Sequence, residues 1–312
     1  MSETIVYSAK KIITMNPSRP EATHVAVRDG RILGAGSLSE LQTWGDVRLD
    51  ERFKDKVLMP GFVEGHAHVM EGSLWSKVYC GWFDRADPDG KLWSGVKSVD
   101  AVVERLRAAE AALEDPAAAV SGWQLDPIYM DNITVTRADL DRVSTTRPVG
   151  VLHASGHIMN VNTKALELAG MMKTGHNHPG IPLGADGLPT GELKGPEVMT
   201  PVGPFVGFER NLLDADEAGL RNFAKLCVRT GTTTITDLAS RMDEDTVEMM
   251  LRVTSEPQYP IRLMPFRFFL GLSASELVET VVQMKKRAAD RLRLGQIKIV
   301  VDGSIQGFSA RL

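Results

Sequence analysis

The chain has 312 residues, 43% of them hydrophobic, enough to bury the core of one large α/β domain or two ordinary ones. Thirty-six basic against forty acidic residues leave a net charge of −4 spread along the sequence; this excludes a strong field for nucleic acid or an anionic membrane and makes a small-molecule partner the default. No apolar stretch approaches the ~18 residues of a membrane span, nothing in the first thirty residues reads as a signal peptide, and the distant Cys80 and Cys227 read as buried thiols of a reducing cytoplasm.

In chain order, TIVYS, KIITM and THVAVRDGRILGAG read as short strands, with Asp29-Gly30 as a hairpin turn, so residues 1–57 form a small β element. The run VLMPGFVEGHAHV (57–69) is the first of four candidate buried strands; the others are GTTTITDLA, IRLMPFRFFL and QIKIVVDGS. SVDAVVERLRAAEAAL has apolar residues at 99, 102, 103, 106 and 113, the spacing of an amphipathic helix. SASELVETVVQMKKRAA opens with Ser273 and Glu276 in capping-box register, a helix start.

The spacing from 232 onward, strand and helix in turn, predicts repeated βα units and a parallel sheet over 58–312. Roughly 160 residues separate the first of these strands from the second, so the region from about 70 to 215 reads as an insertion. Within it, GHNHPGIPLGADGLPTG marks a long structured loop. There is no internal repeat. Gly34-Ala35-Gly36 lacks the third glycine and following helix of a dinucleotide fingerprint, no Gly-x-Ser-x-Gly elbow is present, and neither cysteine lies in a redox or metal motif.

His66 and His68 are the central chemical signal. On an extended strand residues i and i+2 share a face, whereas on a helix they diverge by about 200°. Two neutral imidazoles side by side at a strand end can ligate zinc, iron or manganese. Pro60 and Gly61 open that strand, and Gly65 leaves room beside the pair. Lys298 is a charge inside the apolar run QIKIVV; it lies on an exposed face, pairs with Asp302, or belongs to a site. His153 and His157 flank Ser155-Gly156, Trp123 can wall a pocket or fill a core, and His176 and His178 lie in the Gly/Pro loop, where strand geometry is not assured.

A β-rich start followed by Pro-Gly-Phe-Val-Glu-Gly-His-Ala-His resembles the amidohydrolase superfamily, whose first barrel strand ends in His-x-His. HASGHIMNVNTKALELAG (153–170), DGLPTGEL (186–193), GTTTITD (231–237) and IKIVVDGSIQG (297–307) are similar, in that order, to motifs of its YtcJ-like branch, amidohydrolase family 3. Glu64 departs from the aspartate usual before the His-x-His. The resemblance implies a (β/α)8 barrel with an N-terminal β-sandwich element and a large insertion after strand 1. It implies one or two divalent metals, zinc first, then iron or manganese, and hydrolysis of amide or other non-peptide C–N bonds by an activated water.

On this match His66, His68 and Lys298 are the metal ligands. A buried lysine amine beside cations loses its proton and takes up carbon dioxide, becoming an anionic carbamate with two donor oxygens. His157 and Asp302 are then the candidate catalytic residues, with His153 and Trp123 as substrate contacts.

In the family the fifth- and sixth-strand histidines and the eighth-strand aspartate follow the lysine, and only ten residues follow Asp302. About four of eight strands are therefore expected. The partners expected are a small amide-type substrate and either further sequence or another copy of the chain, with no nucleic acid and no membrane. A mononuclear deaminase, or a shortened homologue with a binding or regulatory role or no catalytic role, is the alternative reading.

Overall fold

β1 (Thr4–Ile13) alternates buried and part-exposed side chains, as a strand over a small core must. In the computed structural model of the chain, residues 2–208, 215–269 and 271–301 are described, residue 239 through its backbone alone. β1 pairs antiparallel with β2 (Glu21–Arg28), Ile5 opposite Val27. A hairpin leads to β3 (Arg31–Gly36) through Asp29 and Gly30, whose φ values of 52° and 71° are the left-handed pair that a two-residue turn requires. α1 (Leu38–Gln42) starts at a capping box of Ser37 and Glu40 and sets Leu41 on Val6 and Ala26. β4 (Val47–Leu58) returns parallel to β1, completing the order β3-β2-β1-β4. This sheet lies in the first of two compact units, residues 1–63; the second is 64–312.

β5 (Phe62–Ala67) leads into the second unit and is followed at once by α2 (Met70–Leu74). The expected insertion holds a sheet that sequence patterning did not reveal. β6 (Val78–Tyr79) precedes a small hairpin of β7 (Arg85–Ala86) and β8 (Leu92–Trp93). α3 (Val99–Glu110), the predicted amphipathic helix capped by Ser98, then leads to β9 (Val120–Leu125). After α4 (Arg137–Asp141) come β10 (Val149–His153), β11 (Ile158–Val161), α5 (Thr163–Leu168), β12 (Glu192–Lys194) and α6 (Pro196–Met199). The sheet order is β12-β11-β10-β9-β6, parallel from β10 to β6 and antiparallel beyond.

Apolar clusters around Trp123, Leu152 and Met159, and around Leu106, Leu125 and Val151, form its core. Buried Asn162 holds it together: its amide oxygen accepts the Val149 and Ala165 N–H groups, and its nitrogen donates to the Ser144 and Arg147 carbonyls. Four bonds leave this polar side chain fully satisfied at no cost to the core.

The remainder is the predicted βα alternation. α7 (Glu217–Thr230) stops at Gly231, whose φ of 73° ends the helix and releases β13 (Thr232–Ser240). α8 (Glu244–Ser255) crosses to β14 (Arg262–Phe268), and α9 (Ala274–Lys285), with its Ser273/Glu276 capping box, to β15 (Gln296–Lys298). β13, β14 and β15 are parallel neighbours, and β5 adjoins β13 in the order β15-β14-β13-β5. Leu220, Ile235, Val247, Met250 and Leu263 fill the layer between helices and sheet.

Among the described residues this sheet is not a closed barrel. The expectation that 57–69 is a buried strand fails for the same reason: β5 lies at a sheet edge and is exposed from Phe62 to His66. Among the described residues no helix is long and apolar enough to cross a membrane.

α2 is pinned on α7 by two glycines. A methyl group at Gly72 would lie 1.9 Å from the Gly219 carbonyl oxygen, and one at Gly219 would lie 2.0 Å from Ser73 Oγ. Ser73 Oγ also donates to Asp216, the N-cap of α7, at 2.8 Å. Gly72→Ala is therefore expected to destabilise by at least the ~1–3 kcal/mol of an overpacked core, read as a lower urea midpoint. Gly65→Ala, with nothing within 4 Å of the added carbon, is the control and should stay close to the parent. Equal midpoints for the two variants would disprove the close packing.

Candidate functional site

His66 sits near the end of β5 and His68 just beyond it, the first exposed and the second with 44% of its side chain exposed. Their ring centroids are 5.5 Å apart at 76°. The strand holds them: Glu64 Oε1 accepts the His66 N–H at 2.9 Å, and Thr236 Oγ1 of β13 donates to the Glu64 carbonyl. The glutamate that departs from the usual aspartate thus braces the pair. His68 Nδ1 lies 4.0 Å from Asp237 Oδ1, a fully buried carboxylate at the C-terminal half of β13.

Burial pushes the His68 imidazole below its ordinary pKa, and the positive ends of His66, Lys298 and His157 push the same way. The effect favours the neutral imidazole, the form that ligates a metal. It also marks which groups share the neighbourhood. His66, Lys298 and His157, far apart in sequence, all act on His68. Lys298 is half-buried at the end of β15, and His157 is exposed between β10 and β11.

The other sequence candidates separate. His153 is buried at the end of β10, where its Nε2 meets Asn160 Oδ1 and burial lowers its pKa; Asn160 in turn donates to the Val135 carbonyl. Its partners are those of the insertion's framework. Trp123 is 2% exposed, edge-on to Trp75 at 5.1 Å and to Tyr79 at 5.7 Å, yet it also lines a cavity. His176 Nε2 donates to the Met171 carbonyl, and His178 Nδ1 accepts the Gly180 N–H while its Nε2 lies 3.8 Å from Glu197. Both serve their own loop. Asp302 lies outside the described residues.

That cavity, about 430 Å³, is bounded by His66 and His68, by Glu71 of α2, and by Arg85, Trp123 and Gln124 of the insertion. Arg85 Nη2 donates to Glu71, and its guanidinium lies over the Trp75 and Trp123 rings, 5.6 and 5.9 Å from their centroids. Burial raises the Glu71 carboxyl above the usual carboxylate range, with Arg85 opposing the rise. Lys298 and Asp237 are not part of this lining.

Asp237, Arg85 and Gln124 were not among the sequence candidates. Asp237 carried a usable signal, an acid inside a β-rich run, much as Lys298 was a base inside one. Arg85 carried none, because its strand has only two residues.

Among the described residues, no three His, Cys, Asp or Glu side chains come together as a metal site. What is present is a pair of imidazoles, the neutral form of one favoured by its surroundings, with a lysine amine in the same electrostatic neighbourhood. This donor set fits part of the ligand shell of a divalent ion.

Two curated proteins align over 96% of this chain: "Protein LONG AFTER FAR-RED 3" of Arabidopsis thaliana at 26% identity, and "Putative amidohydrolase YtcJ" of Bacillus subtilis (strain 168) at 27%. The chain spans about half the length of these relatives, 50% and 54%. Crystal structures of uncharacterized metal-dependent hydrolases from Pyrococcus horikoshii OT3 and Pyrococcus furiosus share the fold. Their TM-scores are 0.62 and 0.59 and their identities 15% and 16%, over 97% and 96% of this chain and 55% and 57% of theirs. The sequence model of the amidohydrolase family matches residues 54–312, from the end of β4 through the histidine pair, the insertion and Lys298. The chain therefore belongs to the amidohydrolase family, in its YtcJ-like branch, amidohydrolase family 3.

Proposed function

We propose that this chain supplies the metal-binding and substrate-facing part of a hydrolase that cleaves amide or other non-peptide C–N bonds of small molecules. The observation that carries the reading is the convergence on His68 of His66, Lys298 and His157. Three separate segments, β5, the insertion and β15, deliver those residues. A structural histidine pair would have no need of a lysine in the same neighbourhood.

His66, His68 and Lys298, the last as its carbamate, would hold one or two divalent ions, zinc before iron or manganese. When bound, such an ion supplies Lewis acidity and an activated water at neutral pH. The chain's own residues do the rest. Gly65 leaves the space beside the imidazoles open, and Asp237, 4.0 Å from His68 Nδ1, is placed to orient that ring. His157, exposed at the edge of the insertion, can donate to a substrate carbonyl oxygen. The cavity between histidines and insertion receives the substrate.

We read the sheet β15-β14-β13-β5 as the first four strands of a (β/α)8 barrel. Ile299, Val300 and Val301 after β15 are exposed apolar residues, and the rest of the barrel, from further sequence or a second copy, would cover them. Cys80 and Cys227, free and buried, suit a cytoplasmic location.

The test is metal analysis of the intact protein, followed by assays on formamides, N-acylamines, hydrazides and cyclic ureas, with and without prior chelation. About one to two equivalents of zinc, iron or manganese are expected, with turnover that vanishes on chelation and returns with metal. Carboxylate release from N-substituted amides identifies amide hydrolysis, and ammonia release from an added amino-substituted heterocycle, with no carboxylate formed, identifies the deaminase alternative. Metal-free protein whose turnover ignores chelators would overturn the reading.

A further inference from the structure

Gln124 has a backbone that side chains avoid and a side chain that the fold does not use. Its neighbours on β9 face residues of β10 in register, Trp123 opposite Leu152 and Leu125 opposite His153, so Gln124 is the extra residue of a β-bulge. Its φ of 70° is left-handed, a conformation that favours glycine and is uncommon for a glutamine. The bulge is fixed from both sides: the Trp123 carbonyl accepts the Cys80 N–H, and the Leu125 carbonyl accepts the Ala154 N–H, each at 2.8 Å. Among the described residues the Gln124 carboxamide is in no hydrogen bond. It lines the cavity beside the histidine pair. Strain held by the surrounding structure, with no structural return, is the mark of a residue placed for a ligand.

Arg85 lines the same cavity. Two indoles fix its guanidinium, and among the described residues Glu71 is its one hydrogen-bond partner, so N–H donors remain. Trp123, Phe223 and Leu226 make the adjoining wall apolar. The insertion therefore offers two sets of planar donors next to an aromatic surface.

We propose that Gln124, with Arg85 beside it, is the specificity-determining contact for an sp² acceptor oxygen, of a carboxylate or a carbonyl, on the part of the substrate that is not cleaved. The inference rests on the reading of this cavity as the substrate's, and it deepens that reading by naming what the cavity selects.

The experiment is calorimetric titration of the intact protein with three probes that share a benzoyl amide: N-benzoylglycine, its neutral amide N-benzoylglycinamide, and N-ethylbenzamide, which lacks the second oxygen. At least one oxygen-bearing probe is expected to bind about tenfold or more tightly than N-ethylbenzamide. A preference for the carboxylate shows Arg85 acting together with Gln124, and equal binding of both assigns the contact to Gln124 alone. Gln124→Gly should abolish the preference while the melting temperature stays level or rises, because glycine accepts the left-handed backbone. Gln124→Asn, which tolerates that backbone with a shorter carboxamide, should keep part of the preference.

Three equal affinities, no binding of any probe, or an unchanged preference in Gln124→Gly would overturn the proposal. Failure of the metal reading shows separately, as metal-free protein, and binding selectivity does not depend on turnover.

Discussion

A His66→Ala/His68→Ala double variant is expected to lose its metal and its activity together while remaining folded. His66 is exposed and His68 keeps 44% of its side chain exposed, and β5 keeps its bracing through the Glu64 carboxylate and Thr236, which engage backbone groups. Stability should therefore change little. If the pair ligates metal as proposed, metal content should change greatly, because removing two direct ligands would exceed the ~10–100-fold loss of affinity typical of an outer-shell partner alone.

The pH dependence follows from the direction of the His68 shift. A depressed pKa means that the ring loses its proton at lower pH than an ordinary imidazole, so metal uptake should persist into more acidic solution than for a free histidine pair. Elemental analysis across pH checks both statements. Unchanged metal content in the double variant would sink the assignment of the pair.

How much of this was legible beforehand depends on whether the cause was local. The histidine pair was legible because i, i+2 convergence is a property of any strand. The Asp29-Gly30 hairpin and the helix start at Ser273 were legible because caps and turns are set by neighbouring residues. The insertion's mixed sheet was not. Its strands have three to six residues in the stretch from β9 to β12, are mostly buried on both faces, and so show no alternation. Gln124 was invisible for a different reason: its left-handed backbone comes from the register between β9 and β10, a long-range fact.

Asp237 stands between these cases. The acid in GTTTITD was in plain view, but its meaning needs the 4.0 Å approach to His68. A charge inside a strand is better read as a site signal from the start; Lys298 gained that reading only from the family resemblance.

Lys298→Ala is expected to have an effect as large as loss of the histidine pair, and its form separates the two enzyme readings. Lys298 ends β15, opposite Phe268 of β14, and is half-buried within electrostatic reach of His68. A bare ammonium at that place would repel any cation bound by the imidazoles, at several kcal/mol for unit charges ~4 Å apart at an effective dielectric constant of ~20. The same amine, deprotonated, adds to carbon dioxide with release of one proton and becomes an anion with two donor oxygens. On the reading proposed above, repulsion would thereby be replaced by ligation, and the lysine would serve in its modified form.

The alanine variant should lose at least ~100-fold in turnover, on the scale of other preorganised charge-stabilising groups. If two metals share the carbamate, formate, acetate or propionate should restore part of the turnover by placing a carboxylate in the vacated space, and the second equivalent of metal should return with it. If one metal is bound by the histidines alone, small acids should restore nothing and metal content should stay near one equivalent. Parent-level turnover in Lys298→Ala, or a mass spectrum and crystal structure of metal-loaded protein showing an unmodified amine facing solvent, would remove Lys298 from the site.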